Sequence, residues 1–403
     1  MRDAASGPLG GVRVIELGSL IAGPFAGRML GDFGAEVIKV EQPGEGDSLR
    51  DWGSHRYKGR TLWWPVLNRN KKLVTLNLRL PEGQSLCRRL LEKADVLVEN
   101  FRPGTLERWG LGPEDLWEVN PRLVIARISG YGQTGPYAGR AGFASAGEAM
   151  GGLRYINGYP DQAPPRMGIS LGDSLAGLFA LQGILMALYN RDARGGRGQI
   201  VDASIFESCF GLLEGMVPEY GRLGLIRQPT GTTLTHIAPS NVYRSRDGKW
   251  VVIAANAPNL WVRLCEVIGR PDLVEDERFK THHDRGVNME ALDAIIQDWV
   301  AERDAAEVDR TMNEAGVVCG PVYTIADIFA DPQVRARDMI VTMEDPELGP
   351  IEAPGVVPKL SGTPGALRWT SPWEFGADNE EIYGRVLGIG TAEMDRLKSM
   401  GII

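Results

Sequence analysis

Asp173 is the carboxylate best placed by type and context to act as a nucleophile. It sits between Gly172 and Ser174 at the head of a long apolar stretch. Glycine before it leaves backbone and carboxylate accessible. A helix N-terminus would keep the group ionised, and so able to attack, in an apolar site. The competing reading is an N-cap, where aspartate is a preferred residue. A basic cluster follows a different logic. Arg69, Lys71 and Lys72 lie in NRNKK, and Arg102 and Arg108 flank the loop 99–104. Such residues at strand ends of a parallel sheet could hold phosphates, or could form a solvated charged face. The third feature is Gly18-x4-Gly23-x3-Gly27. It follows a first strand, as phosphate-binding turns do, and Glu41 ends the second strand where a ribose-binding acid would sit. The spacing is not GxGxxG, and Pro24 follows Gly23, so a tight turn with close helix–sheet packing competes with a phosphate cradle.

The elements that must carry these residues alternate between strand and helix. VRVIEL (12–17), EVIKV (36–40), 73–78, 96–98, 123–128 and 200–201 read as strands. Helices are expected to about Leu30, from Pro81 to about Glu92, from Asp173 to about Tyr189, and near Phe206 to Met216. Alternation of this kind implies a parallel sheet covered on both faces. Composition shifts at 221–240, read as a linker. A small domain over 241–325 opens on a strand at 250–254 and has helices near 260–268, 289–300 and 305–315. Residues 326–403 read as a return linker with strand-and-turn structure at 339–360, then helices near 380–387 and 391–399. The large α/β domain takes 1–220 and this C-terminal part.

Composition closes several routes. The 403 residues carry a net charge of −8, which disfavours nucleic acid and gives no reason to expect an anionic membrane surface. Cys87, Cys209, Cys265 and Cys319 are scattered, with no CxxC element, and read as buried thiols of a reducing compartment. His55, His236, His282 and His283 form no HExxH or HxH pattern, so no metal site is expected. No window reads as a transmembrane span, because the stretch 178–188 is broken by Gln182, and the first residues carry no apolar signal core. A cytoplasmic protein is the expectation.

Seven segments in order resemble the class III CoA-transferases, the family of formyl-CoA and carnitine CoA-transferases. They are GVRVIELGSLIAGPFAGRMLGDFGAEVIKVEQPGEGD (11–47), NRNKKLVTLNLRLPEG (68–83), ADVLVENFRPGTLERWGL (94–111), ISGYGQTGPYAGRAGF (128–143), GDSLAGL (172–178), GGRGQIVDASIFES (195–208) and GVVCGPV (316–322). The resemblance implies a large Rossmann-like parallel-sheet domain, a small α+β domain and an interlocked homodimer. It implies that Asp173 is the nucleophile, acting through an aspartyl anhydride and then an aspartyl-CoA thioester. CoA contacts carry over to Ile21, Ala22, Leu76, Arg79, Asn100, Phe101, Arg108 and Arg140, while Gln42 stands where some members have arginine. CoA thioesters enter as substrates, with no permanently bound cofactor.

Two departures narrow the activity. Racemases of this fold have a histidine where Phe143 stands, and phenylalanine cannot move protons. The glycine run of the oxalate-specific enzymes is absent from QPTGTTLTHIAPSN. The chain is most similar to the branch that moves CoA from succinyl-CoA to dicarboxylates of the citramalate, malate, itaconate or glutarate type. A dicarboxylate needs a cation for its distal end, for which Arg50, Arg69, Arg166 and His236 are the candidates. An acyl-CoA racemase of the same fold and a non-catalytic acyl-CoA-binding protein are the alternatives.

Overall fold

Six short runs rich in valine and isoleucine build the central sheet. They are β1 (Arg13–Glu16), β2 (Glu36–Glu41), β3 (Lys71–Thr75), β4 (Val96–Glu99), β5 (Val124–Ser129) and β6 (Ile200–Ser204). All pair in parallel, in the order β3-β2-β1-β4-β5-β6. The order reverses between β1 and β4, so the loops leaving those two strands diverge and open a crevice at their carboxyl ends. The computed structural model describes residues 7–403.

The sheet is apolar on both faces, as alternation with helices requires. On one face Ile15, Ile38, Leu97 and Ile125 pack against Leu86, Leu90 and Leu91 of a later helix and against Ile382 and Tyr383. On the other, Val14, Val37, Val96 and Val124 meet two helices. These are α1 (Ala22–Asp32), which follows β1, and a helix that begins just before Asp173. Chain order gives α2 (Pro81–Leu91), α3 (Ala144–Met150), α4 (Leu171–Ala193), α5 (Ile205–Phe210) and α6 (Met216–Leu223). α2 has Pro81 in its first turn, where the missing N–H is not needed. The expected single helix over 206–216 is broken in two, with Gly211 capping α5 and Gly215 preceding α6.

α4 differs from expectation in length. It runs 23 residues, and its mean hydropathy of 1.6 over an 18-residue window is that of a membrane span. Ala176, Ala180, Ile184 and Ala187 are nevertheless buried against the sheet, while Leu178, Phe179, Leu185, Met186 and Tyr189 are exposed. β3 also differs. It starts at Lys71, two residues before the alternation that marked it, because the charged ends of Lys71 and Lys72 are paired inside the protein.

Residues 335–403 return to this unit. A hairpin, β10 (Ile340–Asp345) with β11 (Gly349–Pro354), packs Met343 and Ile351 with Ile21, Leu49, Trp64 and Trp373. Side chains then close the open edge of β3. The Leu73 N–H donates to Asp378 Oδ2 at 2.7 Å, the Thr75 N–H to Asn379 Oδ1 at 2.9 Å, and the Tyr383 hydroxyl donates to the Thr75 carbonyl at 2.7 Å. These bonds occupy groups that an edge strand would otherwise expose.

The second unit spans Leu225–Val334 together with Tyr155–Pro165, a segment that sequence reading placed within 1–220. It has an antiparallel sheet of β7 (Ser240–Arg244), β8 (Trp250–Ala254) and β9 (Val318–Pro321), with β8 central. Helices α7 (Pro258–Val267), α8 (Met289–Ala301) and α9 (Ala305–Glu314) supply Trp261, Leu264, Ile296, Val300, Val308 and Met312 to its own core. The expected linker 221–240 starts inside α6 and then runs without a regular element to β7.

Candidate active site

The loop after β1 and the first turn of α1 are held by five hydrogen bonds from the half-buried Asn100 and the buried Asp47, Lys39 and Lys71. Asn100 accepts from the Ser19 N–H and donates back to the Ser19 carbonyl, both at 2.9 Å. Asp47 Oδ1 accepts from the Leu20 N–H at 3.0 Å. Lys39 Nζ donates to the Gly18 carbonyl at 2.7 Å, and Lys71 Nζ to the Pro24 carbonyl at 2.9 Å. Leu20 has φ of +62°, a left-handed conformation that an L-residue adopts only when its surroundings impose it. Both lysines converge on Glu16, at 3.1 Å from Lys39 and 2.8 Å from Lys71, and all three side chains are fully buried.

This network explains the glycines. A Cβ on Gly27 would lie 1.8 Å from Glu16 Oε2. The Gly18–Gly23–Gly27 run is therefore a close-packing device above buried charges, the tight-turn reading of the sequence. A second close approach shapes the far wall, where a Cβ on Gly142 would stand 2.6 Å from the Cα of Gly130.

Between these walls is a cavity of about 750 Å³. Ser19–Ala22, Asn100–Pro103, Arg140–Ala146, Arg166 and Asp173 contribute to its lining. A neighbouring cavity of about 570 Å³ shares Ser19 and Phe101 and includes Gln42, Leu76 and Arg79. The structure thus brings Ile21, Ala22, Asn100, Phe101, Arg140 and Asp173 to one cavity, and Leu76 and Arg79 to the next. Arg108 lines neither; its guanidinium donates to Thr105 Oγ1 at 3.0 Å. Both polar ends of the Asn100 amide are engaged by Ser19. Arg79 lies in an exposed pair with Glu45 at 3.0 Å, and Arg140 stacks on the Tyr137 ring at 3.6 Å.

The basic run NRNKK, which leads into β3, is closed to ligands. Arg69 forms two hydrogen bonds to Asp32 and is fully buried. Lys72 pairs with Glu36 at 2.7 Å and Glu381 at 3.0 Å. Arg50 is bidentate on Glu41 and stacks on Trp64. Of the candidate distal-carboxylate groups this leaves Arg166 in the cavity, without a hydrogen-bonded or ion-paired partner among the described residues. His236 belongs to the other unit.

Asp173 is the third residue of α4, with Ser170 as N-cap, so the helix starts earlier than the aspartate. Its carboxyl lies above the ordinary carboxylate range. Burial pushes it up to about 6, Glu148 adds to the rise, and Arg166 opposes it. At pH 7 about nine-tenths of it is still ionised. The Gly172 N–H donates to Glu148 Oε1 at 3.0 Å. Glu148 was missed by sequence reading; the available signal was a lone acid in the small-residue helix ASAGEAM. Phe143 is 68 % exposed at the cavity, and none of the four histidines lines it.

Residues 9–379 match the model of CoA-transferase family III. The chain is 52 % identical over 396 residues to the succinyl-CoA–D-citramalate CoA-transferase of Chloroflexus aurantiacus, covering 98 % of each chain. It is 40 % identical over 399 residues to the succinyl-CoA–L-malate CoA-transferase beta subunit of the same organism, again covering 98 % of each. A CAIB/BAIF family protein from Brucella suis superposes with a TM-score of 0.82 at 34 % identity, over 94 % of this chain and 100 % of that one. Taken with a half-buried aspartate in a crevice at the switch point of a six-stranded parallel sheet, these matches show that the chain belongs to CoA-transferase family III and is an enzyme that transfers CoA.

Proposed function

We propose that the protein moves CoA from succinyl-CoA to a dicarboxylic acid of the citramalate, malate, itaconate or glutarate type, with Asp173 as nucleophile. The observation that carries this reading is Asp173 in one cavity with Arg166, which has no hydrogen-bonded or ion-paired partner among the described residues. The donor and acceptor class are supported by the names of the two Chloroflexus enzymes. An Asp173 oxygen attacks the thioester carbonyl, the C–S bond breaks, and CoA leaves as thiolate. The thiolate then attacks the Asp173 carbonyl carbon of the anhydride and expels succinate, leaving aspartyl-CoA. The acceptor carboxylate attacks that thioester, again releasing thiolate, which finally attacks the acceptor's acyl carbon and frees Asp173. Anhydrides and thioesters hydrolyse, so the walls must exclude water. Arg166 holds the distal carboxylate of donor acyl group and acceptor in turn.

The CoA moiety is assigned to the lining of both cavities. Ile21, Ala22, Asn100, Phe101 and Arg140 shape the acyl end, and Leu76 and Arg79 the nucleotide end, with Arg108 assigned by family resemblance alone. An interlocked homodimer is part of the proposal. Supporting it is the exposed apolar stripe of α4, a surface that a single protomer leaves uncovered. A cytoplasmic setting is consistent with four free cysteines. The test is a panel of dicarboxylates incubated with succinyl-CoA, with the CoA esters separated afterwards. D173A must lose all exchange while remaining folded. Transfer by D173A would refute the nucleophile, and wild type that takes up α-deuterium without transfer would be a racemase.

A further inference from the structure

Glu148 is a buried carboxylate that the mechanism above does not use. It lies on α3 and is 3 % exposed. Its Oε1 accepts from the Gly172 N–H, the amide immediately before Asp173, and among the described residues it has no counter-cation. The packing around it leaves little freedom. A Cβ on Gly147 would stand 2.4 Å from Ile205 Cγ2, and one on Gly172 would stand 2.8 Å from the same atom and 3.2 Å from Glu148 Cγ. Helices α3, α4 and α5 are thus locked together around the carboxylate.

The other titratable groups on these elements do not neutralise it. Asp173 is the one on the first turns of α4 and carries the same sign. On α5, Glu207 accepts from Ser204 Oγ at 2.6 Å, and burial pushes the Cys209 thiol up to about 11, with Glu148 and Asp173 adding to the rise. Arg166, before α4, opposes the repulsion at Asp173.

We propose that Glu148 is a positioning residue that clamps the turn carrying Asp173 and sets a like charge beside the nucleophile. This rests on Asp173 being the nucleophile. The free carboxylate is negative, whereas the anhydride and the thioester formed on it are neutral. Each acylation therefore removes one partner of a repelling pair. The resting state is raised relative to the covalent states, and the carboxylate is made more basic without ceasing to be ionised at neutral pH.

The test is E148Q, which keeps an oxygen for the Gly172 N–H and removes the charge. The acidic limb of kcat/KM, which reports the free enzyme, is expected to move down by about one pH unit for the loss of one adjacent charge. The fraction of enzyme trapped as aspartyl-CoA by mass spectrometry is expected to fall several-fold. E148A removes charge and acceptor together and should shift the limb in the same direction, with a larger loss of kcat. A limb that stays put in whichever variant is recovered folded, with an unchanged adduct fraction, overturns the proposal even if stability has dropped. Transfer by D173A would instead overturn the reading on which it rests.

Discussion

Replacing Gly27 with alanine adds one methyl group directly above the buried charges that hold the β1 loop. Helix propensity alone makes that change favourable by about 1 kcal/mol. The structure predicts the opposite sign. The new carbon would sit 1.8 Å from Glu16 Oε2 and 3.6 Å from Lys71 Cε. Ordinary van der Waals separation requires Glu16 to retreat by about 1.5 Å. It has nowhere to go, since it is bonded to Lys39 and Lys71 and all three are fully buried. Overpacking of this kind costs about 1–3 kcal/mol, and disrupting a buried ion pair about 3–5 kcal/mol. Even after the propensity gain, a net loss of about 3 kcal/mol is expected. Calorimetric scans of the two proteins at one scan rate should show G27A melting roughly 5 °C lower or more. Steady-state kinetics should show a raised KM for the CoA ester, because Lys39 and Lys71 also hold the Gly18 and Pro24 carbonyls. G27A melting at or above the wild-type temperature would refute this account of the glycine.

Two further sets of variants follow from the site. Asp173 titrates near 6 in the folded protein against an ordinary 3.8, so the native state binds its proton more tightly than the unfolded chain. Wild-type stability should therefore fall as pH rises from about 4 to 6 and stay lower above that, by at most about 3 kcal/mol. D173N has no such charge and should melt above wild type at pH 8, with the gap closing at pH 4; an equal gap at both pH values would contradict the assigned burial. R79A and R166Q separate the two ends of the substrate. Arg79 is in a surface pair, 65 % and 61 % exposed, so R79A should change stability by less than about 1 kcal/mol while raising the KM of every CoA ester. R166Q should raise the KM of succinyl-CoA and dicarboxylates but spare a monocarboxylic acyl-CoA, and equal losses on both would remove Arg166 from acid recognition.

What could be read in the sequence was local. The strands announced themselves because each is a short β-branched run between turns, and α2 because Pro81 opens it. Asp173 stood out through its neighbours Gly172 and Ser174. The basic run NRNKK misled because side-chain type says nothing about burial. The acids that neutralise it, Asp32, Glu16, Glu36 and Glu381, come from remote segments that only the fold brings near. Glu148 was invisible for a related reason. Its significance arises from three helices meeting at Ile205, and no periodicity encodes that meeting. The early start of β3 was hidden by its lysines, which a propensity argument places outside a strand.

The side chains that close the edge of β3 lie far along the chain, Asp378 being 305 residues beyond Leu73. Synthesis runs from N- to C-terminus at about 5–20 residues per second. The nascent sheet therefore waits on the order of tens of seconds with that edge unpaired, while all of Leu225–Val334 is made and can fold first. For that interval the large unit is an unfinished sheet tethered to a finished neighbour. It is the stage at which a chaperone, or the matching edge of another nascent chain, would find the most to bind.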